Sequence, residues 1–370
     1  MPEDPEDSSI PTAGASARPH PPNPSDSEEP LDYSLPRLPY IPGACFDIKP
    51  HNPPPPFGLP WYTRPSPDEW NYDPWPWREG APETKLEMCL KHKPRKTTPP
   101  QDQAVHRLQV TRQIRCGEEV SAQLVECRLG GSKTRLVAKI FDPLYVNDDG
   151  LHTPTYFAER YYAREAAAYM RIKERGLDGK FTPKFEGCWV FEIPLRLDKN
   201  RVVRREVRLI LQQFIPGDTV QNLIESGEAQ KISFNVRMEL MARLMETFSH
   251  LDFIGVRTED PFTRNVMVHK DSQNEWHITL IDFSHSRVLG LETSKWLYRQ
   301  GEQVELPISP IAICSGHWPV YPVEDIQEHW IDPKYRDRKT RRRWMDERWG
   351  KASGKSSQYQ PVDETLLYET

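Results

Sequence analysis

Asp260 and Asn265 stand five residues apart in the segment TEDPFTRNVMV, and a third oxygen-bearing side chain, Asp282, follows two strand-like runs. Those runs, NVMVH and WHITLIDF, are joined by the polar stretch KDSQNE and read as a hairpin. Folding one against the other sets Asn265, just before the first strand, beside Asp282 at the end of the second. Asp260 is then one short loop away. A loop aspartate, an asparagine and a strand-end aspartate gathered at one point suit divalent-metal binding and the orientation of a hydroxyl. Few protein oxygens suffice for Mg2+ where phosphate supplies the rest of its coordination. Taken singly, each residue also has a plainer reading, since Asp before Pro is a common turn former and Asn a common strand cap.

The elements that must position these residues begin near residue 105. RLQVTRQI, SAQLVECRL and TRLVAKIF read as three strands with turns at RCGEE and GGSK. The Ala-rich stretch PTYFAERYYAREAAAYMRIKERG reads as a helix, with Pro154 near its start and Gly176 placed to stop it. VFEIPLRL and EVRLILQQFI are two further strands, so a small antiparallel sheet carrying one helix is expected. Downstream, Leu240, Met241, Leu244, Met245, Phe248 and Leu251 recur at helical steps ahead of the hairpin. A last helix is expected around RDRKTRRRWMDERWG.

Composition divides the chain. Of its 37 prolines, 21 fall in residues 1–80, a stretch whose 13 acidic and 5 basic residues give a net charge of −8. Since the whole chain carries −5, the remainder is about +3. The opening segment, with almost no large apolar residues, cannot offset the entropy of ordering, and disorder is expected over 1–57. Residues 58–104 interleave aromatics with prolines and form either a solvated linker or an arm whose Trp61, Trp70, Trp75 and Trp77 dock on the folded part or on a partner. No apolar run approaches the roughly 20 residues of a membrane span, and no signal peptide opens the chain. The six cysteines (45, 89, 116, 127, 188 and 314) show no metal-type spacing, which points to a reduced intracellular compartment, cytoplasmic or nuclear.

Taken together, these residues resemble the protein kinase-like superfamily. D260-P-F-T-R-N265 is similar to the D-x-x-x-x-N catalytic loop, and LID282-F283 resembles the start of D-F-G. V137-A138-K139-I140 looks like V-A-I-K with its last two residues exchanged. Glu165 is placed like the helix glutamate that pairs with that lysine, and LILQQFIPG resembles the hinge between lobes. The loop PFTRNVMV is especially like that of kinase-like proteins from filamentous fungi.

The resemblance implies an α+β, bilobal fold: a sheet-rich N-lobe with hinge over 105–215, a truncated and mainly helical C-lobe over 216–350, and a flexible tail over 351–370. It implies that Lys139 holds the ATP phosphates, paired with Glu165, and that Asn265 and Asp282 hold Mg2+. Asp260 would orient or accept the proton of the attacking hydroxyl. Gly117 would belong to the phosphate loop, Ala138 and Leu211 would line the adenine pocket, and the Gln213–Ile215 backbone would meet the adenine edge. The partner implied is a protein or small-molecule phosphoacceptor. A contact of the aromatic arm with the domain is also expected, and nucleic acid and membrane are not.

The chain departs from the pattern in four places. A single glycine, Gly117, stands where G-x-G-x-x-G is expected, with Glu118 and Glu119 beside it. Thr258 replaces the histidine before the catalytic loop, and Ser284 replaces the glycine of D-F-G. Only 88 residues follow Asp282, with no A-P-E. Two readings therefore stand: an ATP- and Mg2+-dependent phosphotransferase, of the protein or the small-molecule type, or a catalytically weak relative serving as a binding module. The run K334–R343, with seven basic residues against one acidic, is either a solvated helix face or a site for an acidic partner.

Overall fold

The structure, a computed structural model, describes residues 35–66, 68–70, 84–118, 120–147, 152–197, 200–295, 305–314 and 318–362. Its first strand, β1 (Cys45–Pro50), comes from the proline-rich segment and changes the expected sheet. After the capped helix α1 (Lys85–Lys91) come β2 (His106–Arg115), β3 (Gln123–Leu129) and β4 (Leu136–Phe141). Helix α2 (Pro154–Glu174) then leads to β5 (Phe185–Arg196) and β6 (Val202–Gln213). The strand order β1-β2-β3-β4-β6-β5 is a closed barrel, because β1 pairs with β2 on one side and, through Lys49 and Pro50, with β5 on the other.

Disorder over 1–57 is therefore corrected for residues 35–57, where Tyr40, Ile48 and Phe57 are buried. CFDIKP hides its strand well, since Ile48 alone of its six residues is buried. The arm is anchored at charged groups too. The Tyr40 hydroxyl donates to the buried carboxylate of Asp142, which also accepts from Arg205 Nη2 at 2.8 Å.

His51 ties three segments together: its Nδ1 lies 2.6 Å from the Tyr162 hydroxyl on α2, and its Nε2 lies 2.9 Å from Thr97 Oγ1. Burial, with Arg208 nearby, pushes its pKa down to about 3. The unfolded chain thus binds a proton near pH 6.5 that the folded chain refuses until about pH 3. Stability from this site is complete above 6.5 and falls as pH drops through that window, with a slope approaching about 1.4 kcal/mol per pH unit. Urea melts between pH 7.5 and 4.5 should show wild type losing more stability than His51→Gln; equal slopes would remove His51 from the account.

Helix α2 starts as its sequence directs, with the Thr153 side chain accepting from Tyr156 N and Pro154 in the first turn. It ends at Gly176, whose φ of 65° suits a residue without Cβ. Beyond the barrel come β7 (Gly217–Thr219), α3 (Val220–Glu225), α4 (Phe234–Phe253), β8 (Val256–Thr258), β9 (Val266–Lys270), β10 (Trp276–Leu280) and β11 (Ser286–Val288). Short helices α5 (Pro310–Ile313) and α6 (Val323–Asp325) precede α7 (Arg338–Trp349). The sheets here are small, β10-β9-β7 and β11-β8, so the architecture is α+β.

The apolar stripe of α4 packs in one core with Trp318, Trp330, Trp344 and Trp349. Within the basic run only Arg341 is buried, lying over the Trp318 ring at 5.5 Å, while most of its other basic residues are exposed. Further along α7, Arg348 Nη1 reaches Glu239 on α4 at 2.8 Å. Within the tail expected to be flexible, Tyr359 is buried and Gln360 N donates to Pro307 O at 2.9 Å, while most of the other described residues are exposed. Residues 363–370 lie outside the described residues. Among those described, no helix is long and apolar enough to cross a membrane.

Candidate active site

Strand alternation decides what Lys139 can reach. On β4, Leu136, Ala138 and Ile140 enter the barrel core, so Val137, Lys139 and Phe141 occupy the other face, against α2. Lys139 Nζ meets Glu165 Oε2 of α2 at 2.6 Å and Asp282 Oδ1 at 2.8 Å. The three side chains are 4%, 0% and 27% exposed, so this is a buried triad open at its Asp282 end. Burial opposes the Lys139 charge, yet the two carboxylates together hold its pKa above the ordinary lysine value. Burial pushes Glu165 up to about 7, Lys139 opposing it, whereas Lys139 and Ser284 hold Asp282 well below the usual carboxylate range in spite of burial.

Asp282 is not the last residue of its strand, as the sequence suggests; β10 ends at Leu280. Asp282 instead sits at φ 63°, a left-handed conformation costing a non-glycine residue of order 1–3 kcal/mol. Its surroundings impose it. The Ser284 hydroxyl and amide donate to Oδ1 at 2.7 and 3.2 Å, and Phe283, fully buried, packs edge-on against Tyr169 of α2 at 5.1 Å. The Ser284 that replaces glycine thus fixes the aspartate.

Asp260 and Asn265 form a second pair. Asn265 Nδ2 donates to Asp260 Oδ2 and to its backbone carbonyl, both at 2.9 Å, and Arg264 Nη2 donates to Oδ1 at 2.6 Å. Thr258, in place of the expected histidine, accepts from the Asp260 amide at 3.3 Å. Two backbone bonds join this pair to the triad: Ile281 N to Asn265 O at 2.9 Å and Glu259 N to His285 O at 3.0 Å. His285 feels the charges of both Asp282 and Asp260, although burial sets its pKa below the ordinary value, and its ring lies 5.3 Å from that of Tyr161 on α2.

Five expected site residues are therefore gathered: Lys139, Glu165 and Asp282 in contact, Asp260 and Asn265 in contact, and the two groups joined across the hairpin end. The adenine-pocket residues require correction. Ala138 and Leu211 are a cross-strand pair inside the barrel core, on the face opposite Lys139. Exchanging the last two residues of V-A-I-K shifts the alanine by one position, and a shift of one flips a strand residue to the other face. Val137, half-buried and paired with Gln212, takes its place beside Lys139.

Of the hinge backbone, the Gln213 amide donates to Lys184 O at 2.9 Å, and the Ile215 carbonyl accepts from Gly217 N at 3.0 Å. Those two groups are already used. Gly117 is clamped as well: its amide donates to Gln123 Oε1 at 2.9 Å and its carbonyl accepts from Gln123 Nε2 at 2.8 Å. Glu118 is exposed, and Glu119 lies outside the described residues. Sequence reasoning gave no site role to Val137 or Arg264. Of these, Arg264 was findable, standing four residues after Asp260.

No family model matches the chain, and no curated protein matches it. Among solved structures, it is similar to a crystal structure of Rad53 1–466 in complex with AMP-PNP, at 12% identity and a TM-score of 0.33, over 46% of this chain and 37% of that one. It is also similar to the kinase domain of Mycobacterium tuberculosis PknI, at 14% identity and a TM-score of 0.33, over 49% and 60% respectively. The chain covers less than two thirds of either structure.

Proposed function

We propose that the chain is a bilobal, protein kinase-like phosphotransferase that moves the γ-phosphate of ATP to a hydroxyl of a protein or small molecule. The observation that carries this reading is the buried Lys139–Glu165–Asp282 triad at the hairpin end that also holds Asp260 and Asn265. The residues fit the implied Mg2+. Every Asp282 contact described above falls on Oδ1, and Asn265 bonds Asp260 through its Nδ2, so Asp282 Oδ2 and Asn265 Oδ1 would supply the hard oxygen ligands. When bound, Mg2+ supplies charge neutralisation on the phosphates.

The chain's own residues do the rest. Lys139, fixed by Glu165, presents a single cation to the phosphates. Asp260, held by Arg264 and Asn265, orients the acceptor hydroxyl. The Val137 side chain, beside Lys139, would meet the nucleotide base. A second reading, a catalytically weak binding module, is favoured by the Gly117–Gln123 clamp, which occupies backbone groups that a phosphate loop would need.

Mg-ATP titration monitored by thermal unfolding tests the proposal. A ligand confined to the folded state should add about 2.7 kcal/mol at a hundredfold excess over Kd. Val137→Tyr should weaken that response, whereas Ala138→Leu should overpack the barrel, costing roughly 1–3 kcal/mol, yet leave the response intact. A wild type indifferent to saturating Mg-ATP sinks the enzyme reading.

A further inference from the structure

Both carboxylates around Lys139 belong to segments gripped by the same seven residues, 57–63. On one side, Arg164, next to Glu165 in α2, is buried and spends its guanidinium on arm carbonyls: Nε to Phe57 O at 3.1 Å, and Nη2 to Gly58 O at 2.7 Å and Leu59 O at 3.0 Å. Phe57 also packs edge-on against Tyr156 of α2 at 5.3 Å. Trp70, 6% exposed, stacks on that tyrosine at 6.1 Å. On the other side, the arm holds the chain that follows Asp282. The Tyr62 hydroxyl accepts from Val288 N of β11 at 2.6 Å, Thr63 N donates to Thr293 O at 2.9 Å, and Lys295 N donates to Trp61 O at 3.0 Å. Tyr62 is fully buried.

We propose that residues 57–63 are a brace, built into this chain, that holds α2 and the segment after Asp282 together so that Glu165 and Asp282 stay on Lys139. Its bearing on catalysis rests on the phosphotransferase reading; its mechanical role does not. Adjacent helix positions point about 100° apart, so an Arg164 fixed to the arm also fixes the direction of Glu165. The bonds fall on three arm carbonyls in fork geometry, which suits Arg and not Lys. At Gly58 the φ of +90° disfavours any side chain, and an added Cβ would meet Tyr156 Oη at 2.9 Å and Arg160 Cδ at 3.0 Å. Trp61 and Tyr62 are positioning residues here, as is Arg164. Of the four tryptophans, Trp61 lies 4.9 Å from the Arg164 guanidinium and Trp70 stacks on Tyr156. Trp75 and Trp77 lie outside the described residues.

The test uses the full chain with Gly58→Ala, Tyr62→Phe and Arg164→Lys. The rate at which an amine-reactive acyl reagent labels Lys139 is read by mass spectrometry well below the melting temperature, with hydrogen exchange followed over 57–63. A doubly paired, buried lysine reacts slowly, so each variant should label Lys139 at least tenfold faster than wild type while circular dichroism is unchanged. A purely structural arm would lower the melting temperature without altering that rate. Arm residues that exchange freely while Lys139 stays protected overturn the brace, as does unchanged labelling in all three variants. Because no nucleotide enters this assay, absence of Mg-ATP binding would end the phosphotransferase reading and leave the brace to be judged on labelling alone.

Discussion

Lys139→Met should destabilise the chain by about 3–5 kcal/mol near pH 8, the cost of leaving buried charge without its partner. The substitution keeps the aliphatic volume and removes the cation bonded to both Glu165 and Asp282. Glu165, fully buried, will answer by holding its proton, and its pKa is already up to about 7 with the lysine in place. A carboxyl whose folded pKa is raised contributes stability that is complete below its unfolded value and is lost as pH climbs through the folded one. The deficit should therefore grow from pH 5 toward pH 8, the part already present at pH 5 being the lost pairing of Lys139 with Asp282, which is ionised there. Adding Glu165→Gln removes the stranded charge and should recover a substantial part of the loss, a coupling that a double-mutant cycle measures. Urea melts of the four proteins at both pH values decide it. A variant as stable as wild type at pH 8, or a deficit that shrinks with rising pH, would show that the triad is not an ion pair in solution.

The second large effect separates two aspartates that look alike in sequence. Asp282→Asn should lower both Mg-ATP affinity and turnover, because it removes charge from the proposed metal ligand and from one of the two carboxylates on Lys139. Asp260→Asn should leave Mg-ATP binding near wild type and reduce phosphoryl transfer by roughly 10²- to 10⁴-fold, the range for a positioned acid–base group. The structure sharpens this contrast. Asp260 is bonded to Arg264 and Asn265, whereas Lys139 bonds Asp282. Calorimetric Mg-ATP titration alongside single-turnover phosphoryl transfer, on variants shown to be folded by circular dichroism, makes the comparison. Equal losses of nucleotide affinity in both would mean the roles are wrongly divided, and transfer unchanged in both would leave the binding-module reading.

The sequence by itself determined the local elements and the chemical types at the site. An Ala-rich composition, Pro154 near the start and a terminal glycine were enough to place α2, and strand-like runs bounded by turn residues placed β2 to β6, because each of those signals acts within a few residues. The hairpin was legible for the same reason, and with it the approach of Asn265 to Asp282. Tertiary structure alone decided what depends on long-range pairing. β1 has too little apolar content to announce itself, and it became a strand only because both edges of the barrel offered unpaired backbone groups to Cys45–Pro50. Ala138 illustrates the same limit within a recognised motif: its identity matched, but side-chain parity across the β4–β6 ladder sent it into the barrel core. The hold of residues 57–63 on both α2 and the 286–295 segment lay beyond any local pattern, since Arg164 and Val288 lie about a hundred and more than two hundred residues from their arm partners. Local propensity can specify a helix carrying Glu165; only the packing of that helix against the barrel, β11 and the arm specifies which way the glutamate faces.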